Sequence, residues 1–205
     1  MLTSKSLCYD NIDKILKSVD LNSAHLASVK QIHSNNIIFT NKKENPAQAD
    51  GIITSINSNL VLSIITADCM PIFIYDNYAG YYGLIHAGWK GVVSKIHQAA
   101  ISKFSRLGSK LENISIFVGP SIKDCCFEVQ SDIVNNFKKE YLIKKENKTY
   151  INLLRNVLDD FIIAGILKKN ISYDKRCTYD DDMCCSYRRD GRKSGRMFSL
   201  ITHKK

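Results

Sequence analysis

One cysteine and two histidines lie where apolar runs of the sequence meet residues that interrupt strands. His33 follows "ASVKQI", Cys69 lies in "TADCMP" and His86 lies in "GLIHAGWKG". Two imidazoles and one thiolate give a metal ion three protein ligands and leave a fourth position for water or substrate, an arrangement typical of catalytic zinc. Water bound in that position has its pKa lowered to about 7 and becomes a nucleophile. These three residues are therefore a candidate catalytic metal site.

The three candidate ligands are too far apart in the sequence to share one helix face, so only the fold can assemble them. Each is predicted to end a strand, and the ends of neighbouring buried strands converge on one crevice of a sheet. We therefore expect His33, Cys69 and His86 to share a site. The residues alone leave a second interpretation open, in which Cys69 is a core thiol and both histidines are hydrogen-bonded inside the protein.

Other residues near these positions can contribute to such a site. Asp68 can orient a ligand histidine, act as a general base or cap a helix. Gly88 and Gly91 flank a predicted helix start, where backbone N–H groups can face an anion. Cys125 lies in a loop after a predicted strand and is a candidate neighbour of the site. Cys126 is assigned to the core, because adjacent cysteines do not easily point into one tetrahedral site, and the lack of any C-x-x-C pair disfavours a zinc ribbon.

The apolar pattern predicts the elements that must position these residues. Helical spacing marks residues 11–20 and 89–104, and two further helices are predicted with Ser131 and Asn152 as caps. The predicted strands are "ASVKQI", "NIIFT", "ADGIITS", "NLVLSIIT", "PIFIYD", "YYGLIH", "NISIFVGP", "NISYDKRCTY" and "SGRMFSLITH". Strands and helices mix without strict alternation, which predicts a mixed α/β (α+β) layered fold in one domain over residues 1–205.

Composition limits the class of protein. The chain has 205 residues, of which 44% are hydrophobic, enough for one sizeable core. It lacks an apolar run of about 18 residues and an apolar signal-peptide segment, so we expect a cytoplasmic protein. Seven cysteines, an odd number, favour reduced thiols over a disulfide framework. The net charge of +9 is concentrated in residues 186–205, which would attract phosphate, nucleic acid or an acidic surface if they are not simply solvated.

Several segments together resemble one known family, the YfiH/DUF152 proteins, also called polyphenol oxidase or laccase-domain proteins. They are "KQIHSNN", "ADGIIT", "TADCMPIFIYD", "GLIHAGWKG", "VGPSIKDCCFEV", "SYRRDG" and "GRMFSLI", in the family's order and spacing from about Asn11 onward. The resemblance implies an α/β/β/α layered domain, in the YfiH-like putative cysteine hydrolase fold that a bacterial toxin deamidase shares. It also implies a zinc ion held by His33, Cys69 and His86.

The resemblance further implies a purine nucleoside enzyme. Its expected reactions are phosphorolysis of adenosine, inosine and S-methyl-5'-thioadenosine to the free base and the (methylthio)ribose 1-phosphate, and deamination of adenosine. Deamination needs an activated water that attacks the purine C6, which a His₂Cys zinc can supply. Phosphorolysis needs inorganic phosphate beside the ribose, and Arg188, Arg189 or Arg196 can bind it in a bidentate manner. The sequence does not decide which of these arginines reaches the site.

The chain departs from the family pattern in three places. Relatives usually begin with an extra N-terminal strand region that carries a glycine-rich segment and an arginine, and this sequence is expected to lack it. Ser34 replaces the usual glycine after the first ligand histidine, and Lys90 replaces the usual arginine after the tryptophan. These changes bear on substrate affinity more than on metal binding.

Three other functions remain open at this stage. In a metal-free hydrolase or deamidase, Cys69 would be the nucleophile and His86 its base, and editing of peptidoglycan precursors is a related role. Copper-dependent oxidation of phenols ranks lower, because a multicopper oxidase needs many imidazoles and the chain has five histidines. A basic protein that binds nucleic acid through its C-terminal arginines is the non-enzymatic alternative; it would bind in a salt-dependent way that does not involve Cys69.

Overall fold

The computed structural model describes residues 12–203, which form a layered arrangement of strands and helices. The strands are β1 (Leu26–Ser28), β2 (Ile37–Phe39), β3 (Gly51–Ser55), β4 (Val61–Thr66), β5 (Met70–Asp76), β6 (Tyr81–Ala87), β7 (Ser115–Val118), β8 (Glu128–Val129), β9 (Leu142–Lys145), β10 (Lys148–Ile151), β11 (Ile171–Tyr173) and β12 (Met197–Thr202). The α-helices are α1 (Ile12–Ser18), α2 (Trp89–Val93), α3 (Ile96–Arg106), α4 (Ser131–Val134), α5 (Leu153–Ile163) and α6 (Tyr187–Asp190).

A six-stranded mixed sheet forms the centre, with strand order β11-β7-β5-β6-β3-β2. Successive side chains of a strand point to opposite faces, and β5 is apolar on both. Ile72 and Ile74 pack on one face against Phe104 of α3 and Phe161 of α5. Phe73 packs on the other face in a separate cluster. Burial on both faces is the reason that the central strands read as continuous apolar runs.

A three-stranded sheet, in the order β1-β4-β12, covers the second face of the central sheet. Leu62 and Ile64 of β4 share a core cluster with Phe73 and Leu84 of the central sheet. Val61 of β4 points the other way, into a cluster with two buried residues of α1. The order of layers is therefore helices, six-stranded sheet, three-stranded sheet and helix, which confirms the expected α/β/β/α fold. A third sheet, β8-β10-β9, is separate from these two, and its Val129 and Ile151 pack into the same core cluster as Ile72 and Phe161.

Most of the predicted elements are present. The β5–β6 hairpin pairs antiparallel across residues 77–80. The side chain of Asn152 accepts a hydrogen bond from the amide of Arg155 and so caps α5, as predicted. The first helix occupies Ile12–Ser18, while residue 11 of its predicted range lies outside the described residues. Within residues 12–203, no helix combines the length and apolar character needed to cross a membrane.

Three predictions about local structure were wrong, and one element was missed. The predicted helix over residues 89–104 is two helices, because Lys95 adopts a left-handed conformation (φ 63°) between them. The helix after Ser131 ends at Val134, and its N-cap is Gln130. The hairpin of β9 and β10 was not predicted. The strand before His33 ends at Ser28, so His33 lies in a loop rather than at a strand end.

Candidate metal centre and its cavity

His33, Cys69 and His86 converge in the folded chain. One ring nitrogen of each histidine and the Cys69 Sγ all lie within 4.8 Å of one another. The two imidazole rings are 4.8 Å apart between centroids and nearly perpendicular, at 81°. The fold therefore brings together three residues that are far apart in sequence, as expected. Their donor atoms are close enough for one metal ion to contact all three.

The β5–β6 hairpin brings Cys69 and His86 together. The strands run antiparallel, so the start of β5 lies beside the end of β6, with Pro71 opposite His86 and Met70 opposite Ala87. Cys69 is the residue directly before β5, in the turn that follows β4. His33 lies in a separate loop, and its own backbone has a left-handed conformation (φ 59°).

Asp50, a buried carboxylate directly before β3, holds both histidine segments. Its Oδ1 lies 2.9 Å from His86 Nδ1. The backbone amides of Ile32, His33 and Ser34 and the hydroxyl of Ser34 all donate to its two oxygens. Asp50 therefore orients the His86 ring through the nitrogen that faces away from the metal position, and it fixes the loop that carries His33.

The hydrogen bonds of Asp50 determine the pKa values of Asp50 and His86. Burial alone would raise the pKa of Asp50, but the bonds from His86, Ser34 and His33 outweigh burial and hold this pKa well below its usual range. Burial would lower the pKa of His86, but its bonds to Asp50 and Cys69 raise that pKa to about 9. The carboxylate therefore stays ionised and favours a donor proton on His86 Nδ1.

The sequence contained a signal for Asp50 that was not used. The segment "ADGIIT" places an aspartate immediately before a strand whose neighbour ends in His86, and a buried carboxylate at such a position needs several donors. The predicted partner of a ligand histidine was instead Asp68. In the structure, Asp68 Oδ1 accepts from Thr178 Oγ1 (2.6 Å) and Oδ2 from the amide of Arg188 (2.7 Å), so Asp68 is bonded to α6 rather than to either histidine.

Neighbouring side chains also shift the pKa of the Cys69 thiol. Burial opposes ionisation of the thiol, but hydrogen bonds with His33 and His86 and the charges of the two rings lower its pKa to about 7. A thiol that ionises near neutral pH is a ready metal ligand and also a ready nucleophile. The geometry thus supports both of the chemistries proposed for this residue.

Gly88 has no side chain, and this leaves space for the three donor side chains. A Cβ atom at Gly88 would lie 2.9 Å from Cys69 Sγ and 3.2 Å from His33 Cδ2, closer than carbon contacts normally allow. Its backbone is extended (φ −74°), so the requirement is for space rather than for unusual torsion angles. Together with the His₂Cys chemistry of the donors, this space fits a tetrahedral zinc ion with one open position.

Replacing Gly88 by alanine is therefore expected to weaken zinc binding by roughly tenfold to a hundredfold, because overpacking costs about 1–3 kcal/mol. Competition with a chromogenic chelator would measure the affinity. Gly91→Ala is the matched control, since its added Cβ would lie 3.3 Å from Ile96 Cγ2, a tight contact that a small shift of a flexible side chain relieves, and would touch none of the three donor side chains. Equal zinc affinities for the two variants would contradict the assignment of this space to the metal.

A cavity of about 430 Å³ opens beside the donor set. His33, Cys69 and His86 form part of its lining, together with Asp68. The volume lies in the range of about 300–1,000 Å³ that small-molecule sites occupy. Two aromatic side chains, Phe127 and Tyr187, and two arginines, Arg188 and Arg196, complete the parts of the lining that can recognise a ligand.

The two arginines of the cavity stand over its aromatic rings. The Arg188 guanidinium lies 5.5 Å from the Phe127 ring centroid and donates to the carbonyl of Glu128. The Arg196 guanidinium lies 6.0 Å from the Tyr187 ring centroid and donates through Nη1 to two carbonyls of its own segment. Each guanidinium has further N–H groups beyond these bonds, so an anion in the cavity can still be bound.

Two predicted site residues are not brought to the cavity. Arg189 donates to the carbonyls of Thr178, Tyr179, Asp181 and Cys184 and to the carboxylate of Asp190. These bonds use its guanidinium to hold the 178–184 loop. Cys125 lies with Cys126, Cys177 and Asp180 in a separate group of side chains.

Three further histidines lie elsewhere. His97 is buried in α3 and its Nε2 lies 2.7 Å from Asp160 Oδ2. His203 stacks on Tyr75, and His25 ends a short 3₁₀ turn. Only two imidazoles of residues 12–203 therefore meet at the Cys69 thiol, fewer than a multicopper centre requires.

A layered α/β fold with a His₂Cys donor set beside a small-molecule cavity defines the class of this protein. The chain belongs to the family described as multi-copper polyphenol oxidoreductase laccase, whose model matches residues 4–204. The YfiH/DUF152 resemblance is confirmed by a solved structure. The crystal structure of the hypothetical protein YfiH from Bacillus licheniformis superposes with a TM-score of 0.86 at 25% identity, over 93% of this chain and 79% of that one.

Two curated relatives indicate what kind of molecule the family handles. A purine nucleoside phosphorylase from Deinococcus radiodurans is 28% identical over 198 residues, which cover 94% of this chain and 76% of the relative. Adenosine deaminase RL5, from an unknown prokaryotic organism, is 32% identical over 164 residues, 76% of this chain. The match covers 62% of that deaminase, less than two thirds of its length. The names of these relatives indicate that the family to which the chain belongs processes nucleosides.

Proposed function

We propose that this protein is a zinc-dependent purine nucleoside enzyme. It would phosphorolyse adenosine, inosine and S-methyl-5'-thioadenosine to the free base and the (methylthio)ribose 1-phosphate, and it would deaminate adenosine. The observation that carries the proposal is the position of the His33, Cys69 and His86 donors in the lining of a cavity that also contains two arginines and two aromatic rings. The names of the relatives support the substrate class.

His33, Cys69 and His86 would hold the zinc ion, which would supply Lewis-acid activation of a water or a substrate oxygen. Asp50 keeps the His86 ring in one orientation through Nδ1, so the Nε2 atom is free to face the metal. The same carboxylate holds the His33 loop through backbone amides, so both ligands are positioned before any substrate arrives.

The cavity offers separate groups for the base and for phosphate. Tyr187 is half-exposed, so the part of its ring that the Arg196 guanidinium leaves uncovered can stack on a purine, a contact that contributes about 1–3 kcal/mol in other base-binding sites. Phe127 is buried beneath Arg188 and adds an apolar wall. Arg188 and Arg196 can each bind phosphate oxygens with charge-assisted hydrogen bonds. In phosphorolysis a phosphate oxygen forms the bond to ribose C1' as the bond from C1' to the purine N9 breaks, and the base leaves with the proton that the phosphate gives up.

Asp68 is the carboxylate of the cavity lining and is assigned the proton transfers. Thr178 Oγ1 and the Arg188 amide fix its two oxygens. In deamination one of these oxygens would take a proton from the attacking water and return it to the departing amine. The same bonds hold the α6 segment, and with it Arg188, beside the metal ligands.

Product analysis with and without phosphate tests the proposal. Zinc-loaded protein incubated with inosine is expected to release hypoxanthine only when phosphate is present, with an equal amount of ribose 1-phosphate. Incubation with adenosine is expected to give adenine in the same phosphate-dependent way and inosine without phosphate. Base release at the same rate without phosphate, or no turnover of any nucleoside by zinc-loaded protein, would contradict it.

Replacing Arg196 or Arg188 by alanine is expected to raise the KM for phosphate by about tenfold to a hundredfold, because a hydrogen bond to a charged group contributes about 1.5–3 kcal/mol. Steady-state rates at varied phosphate and saturating inosine would measure the effect. Arg192→Ala is the control, since Arg192 is exposed and does not line the cavity. The same rise in all three variants would mean that general surface charge, not these two side chains, binds phosphate.

A second candidate function is a metal-free cysteine hydrolase or deamidase, including an editing role on peptidoglycan precursors. The observation that favours it is the pairing of a Cys69 thiol, whose pKa is lowered to about 7, with His86, whose pKa is raised to about 9. Such a pair resembles the thiolate and imidazolium of cysteine nucleophiles. Rapid alkylation of Cys69 in freshly purified protein that contains no zinc would favour this candidate, because a ligated thiolate reacts slowly.

A further inference from the structure

The geometry points to a second metal site, built by Cys125, Cys126, Cys177 and Asp180, which would bind zinc in a structural role. The four residues come from two loops that follow β7 and β11. This group shares no residue with the His33–Cys69–His86 donor set and does not depend on the proposed enzymatic function. We call it the thiol cluster.

The donor atoms of the thiol cluster already lie at spacings close to those of a zinc site. All four lie within 4.8 Å of one another. Cys125 Sγ is 3.2 Å from Cys126 Sγ and 3.3 Å from Asp180 Oδ2, and Cys126 Sγ is 3.2 Å from Asp180 Oδ1. Zinc–sulfur bonds of about 2.3 Å in a tetrahedron would place donors roughly 3.5–3.8 Å apart, so small side-chain shifts suffice.

Adjacent cysteines were not expected to face one site, and the local backbone explains why these two do. The amides of Cys126 and Phe127 both donate to the carbonyl of Lys123, which coils the chain into a tight turn. The two sulfurs leave this turn on the same side, and each reaches a different oxygen of Asp180. The assignment of Cys126 to the core is therefore incomplete, because the residue is only half-buried and its Sγ faces this group.

The surroundings of Cys177 suit a thiolate. The amide of Lys123 donates to Cys177 Sγ at 3.4 Å, a bond that stabilises negative charge on sulfur. Cys177 pairs with Ser121 in an isolated bridge, and the amides of Asp180 and Asp181 donate to its carbonyl. The same turn therefore fixes both Cys177 and Asp180. Three thiolates and one carboxylate form a soft, closed donor set that favours zinc over magnesium or calcium.

A metal in the thiol cluster would join the two loops that build one wall of the cavity. Phe127, directly after Cys126, lines the cavity. Thr178, directly after Cys177, donates to Asp68. Cross-linking Cys126 to Cys177 through zinc would therefore hold Phe127 and Asp68 at a fixed separation. Cys125 and Asp180 are exposed, so a metal can reach the group from solvent.

Zinc content of single variants, purified under reducing conditions and measured by elemental mass spectrometry, tests the inference. Wild-type protein is expected to bind two zinc ions per chain. Cys69→Ser and Cys125→Ser should each bind one, and the double variant none. Cys184→Ser is the matched control, since Cys184 is a free thiol outside both donor sets and should leave two ions bound. Cys125 is chosen because it is exposed, so its substitution should not disturb folding.

A second readout identifies the ligands directly. Cobalt(II) added to metal-free Cys69→Ser protein should give intense thiolate-to-cobalt absorption, which Cys125→Ser should weaken in this background and Asp180→Asn should shift. One zinc in the wild type and none in Cys69→Ser would overturn the inference. So would a disulfide between Cys125 and Cys126 or Cys177 in the freshly purified reduced protein, because the sulfurs would then be redox partners and not ligands.

Discussion

Cys69→Ala is expected to lose one zinc ion per chain and to lower kcat/KM for phosphate-dependent base release by on the order of 10³-fold, because Lewis-acid activation contributes several kcal/mol. The thiol is one of the three proposed protein ligands, and the two histidines that remain are a poorer donor set for zinc. Since a methyl group replaces a small side chain next to Gly88, little strain is introduced. The fold should therefore survive the change.

The measurement joins zinc analysis with nucleoside turnover on the same samples. Cys184→Ala is the matched control, because it also removes a thiol but lies in a small core cluster with Met197. It should keep its zinc and its activity and lose only some stability. If Cys69→Ala retained full zinc and lost all turnover, the thiol would be a nucleophile and the hydrolase candidate would replace the zinc enzyme.

Replacing Asp50 by alanine is expected to destabilise the protein by about 3–5 kcal/mol, since it breaks a buried charged pair with His86 and leaves that ring without its acceptor. His86 Nδ1, three backbone amides and the Ser34 hydroxyl would lose their acceptor at once. Asp50→Asn keeps the shape but removes the charge, and it is expected to lower zinc affinity by about tenfold to a hundredfold. Urea unfolding and chelator competition measure the two effects.

Asp76 provides a control of the same residue type and burial. It is fully buried, and it accepts hydrogen bonds from the amides of Tyr78 and Ala79 in the β5–β6 turn, at the end of β5 away from Cys69. Asp76→Asn should reduce stability and leave zinc affinity unchanged. An Asp50→Asn protein with wild-type zinc affinity would show that His86 needs no carboxylate to bind the metal.

The residue pattern alone predicted the strands of the central sheet, the capped helix α5 and the pairing of Cys69 with His86. These features depend on local signals: continuous apolar runs, an asparagine before a helix and a short turn between two strands. In a hairpin the register follows from the turn, so the residue before β5 must lie near the end of β6. His33 was grouped with them as the end of a predicted strand, but the strand ends at Ser28 and His33 reaches the site from a loop.

The roles of the charged residues were decided only by the tertiary structure. Asp50 and Asp68 are both aspartates beside strands, yet one contacts His86 and the other α6. Arg188 lines the cavity, and its neighbour Arg189 is used to hold a loop. Side-chain direction and partner depend on how segments far apart in sequence pack, which no local pattern encodes.

The sequence by itself determined the layered α/β class, the family and the three candidate zinc ligands, because apolar periodicity and short motifs are local properties. Only the tertiary structure decided that Asp50 supports those ligands, that Arg188 and Arg196 reach the cavity and that Cys125, Cys126 and Cys177 meet at Asp180. The reason is physical: each of these contacts joins loops whose positions are set by the packing of separate sheets and helices against one another.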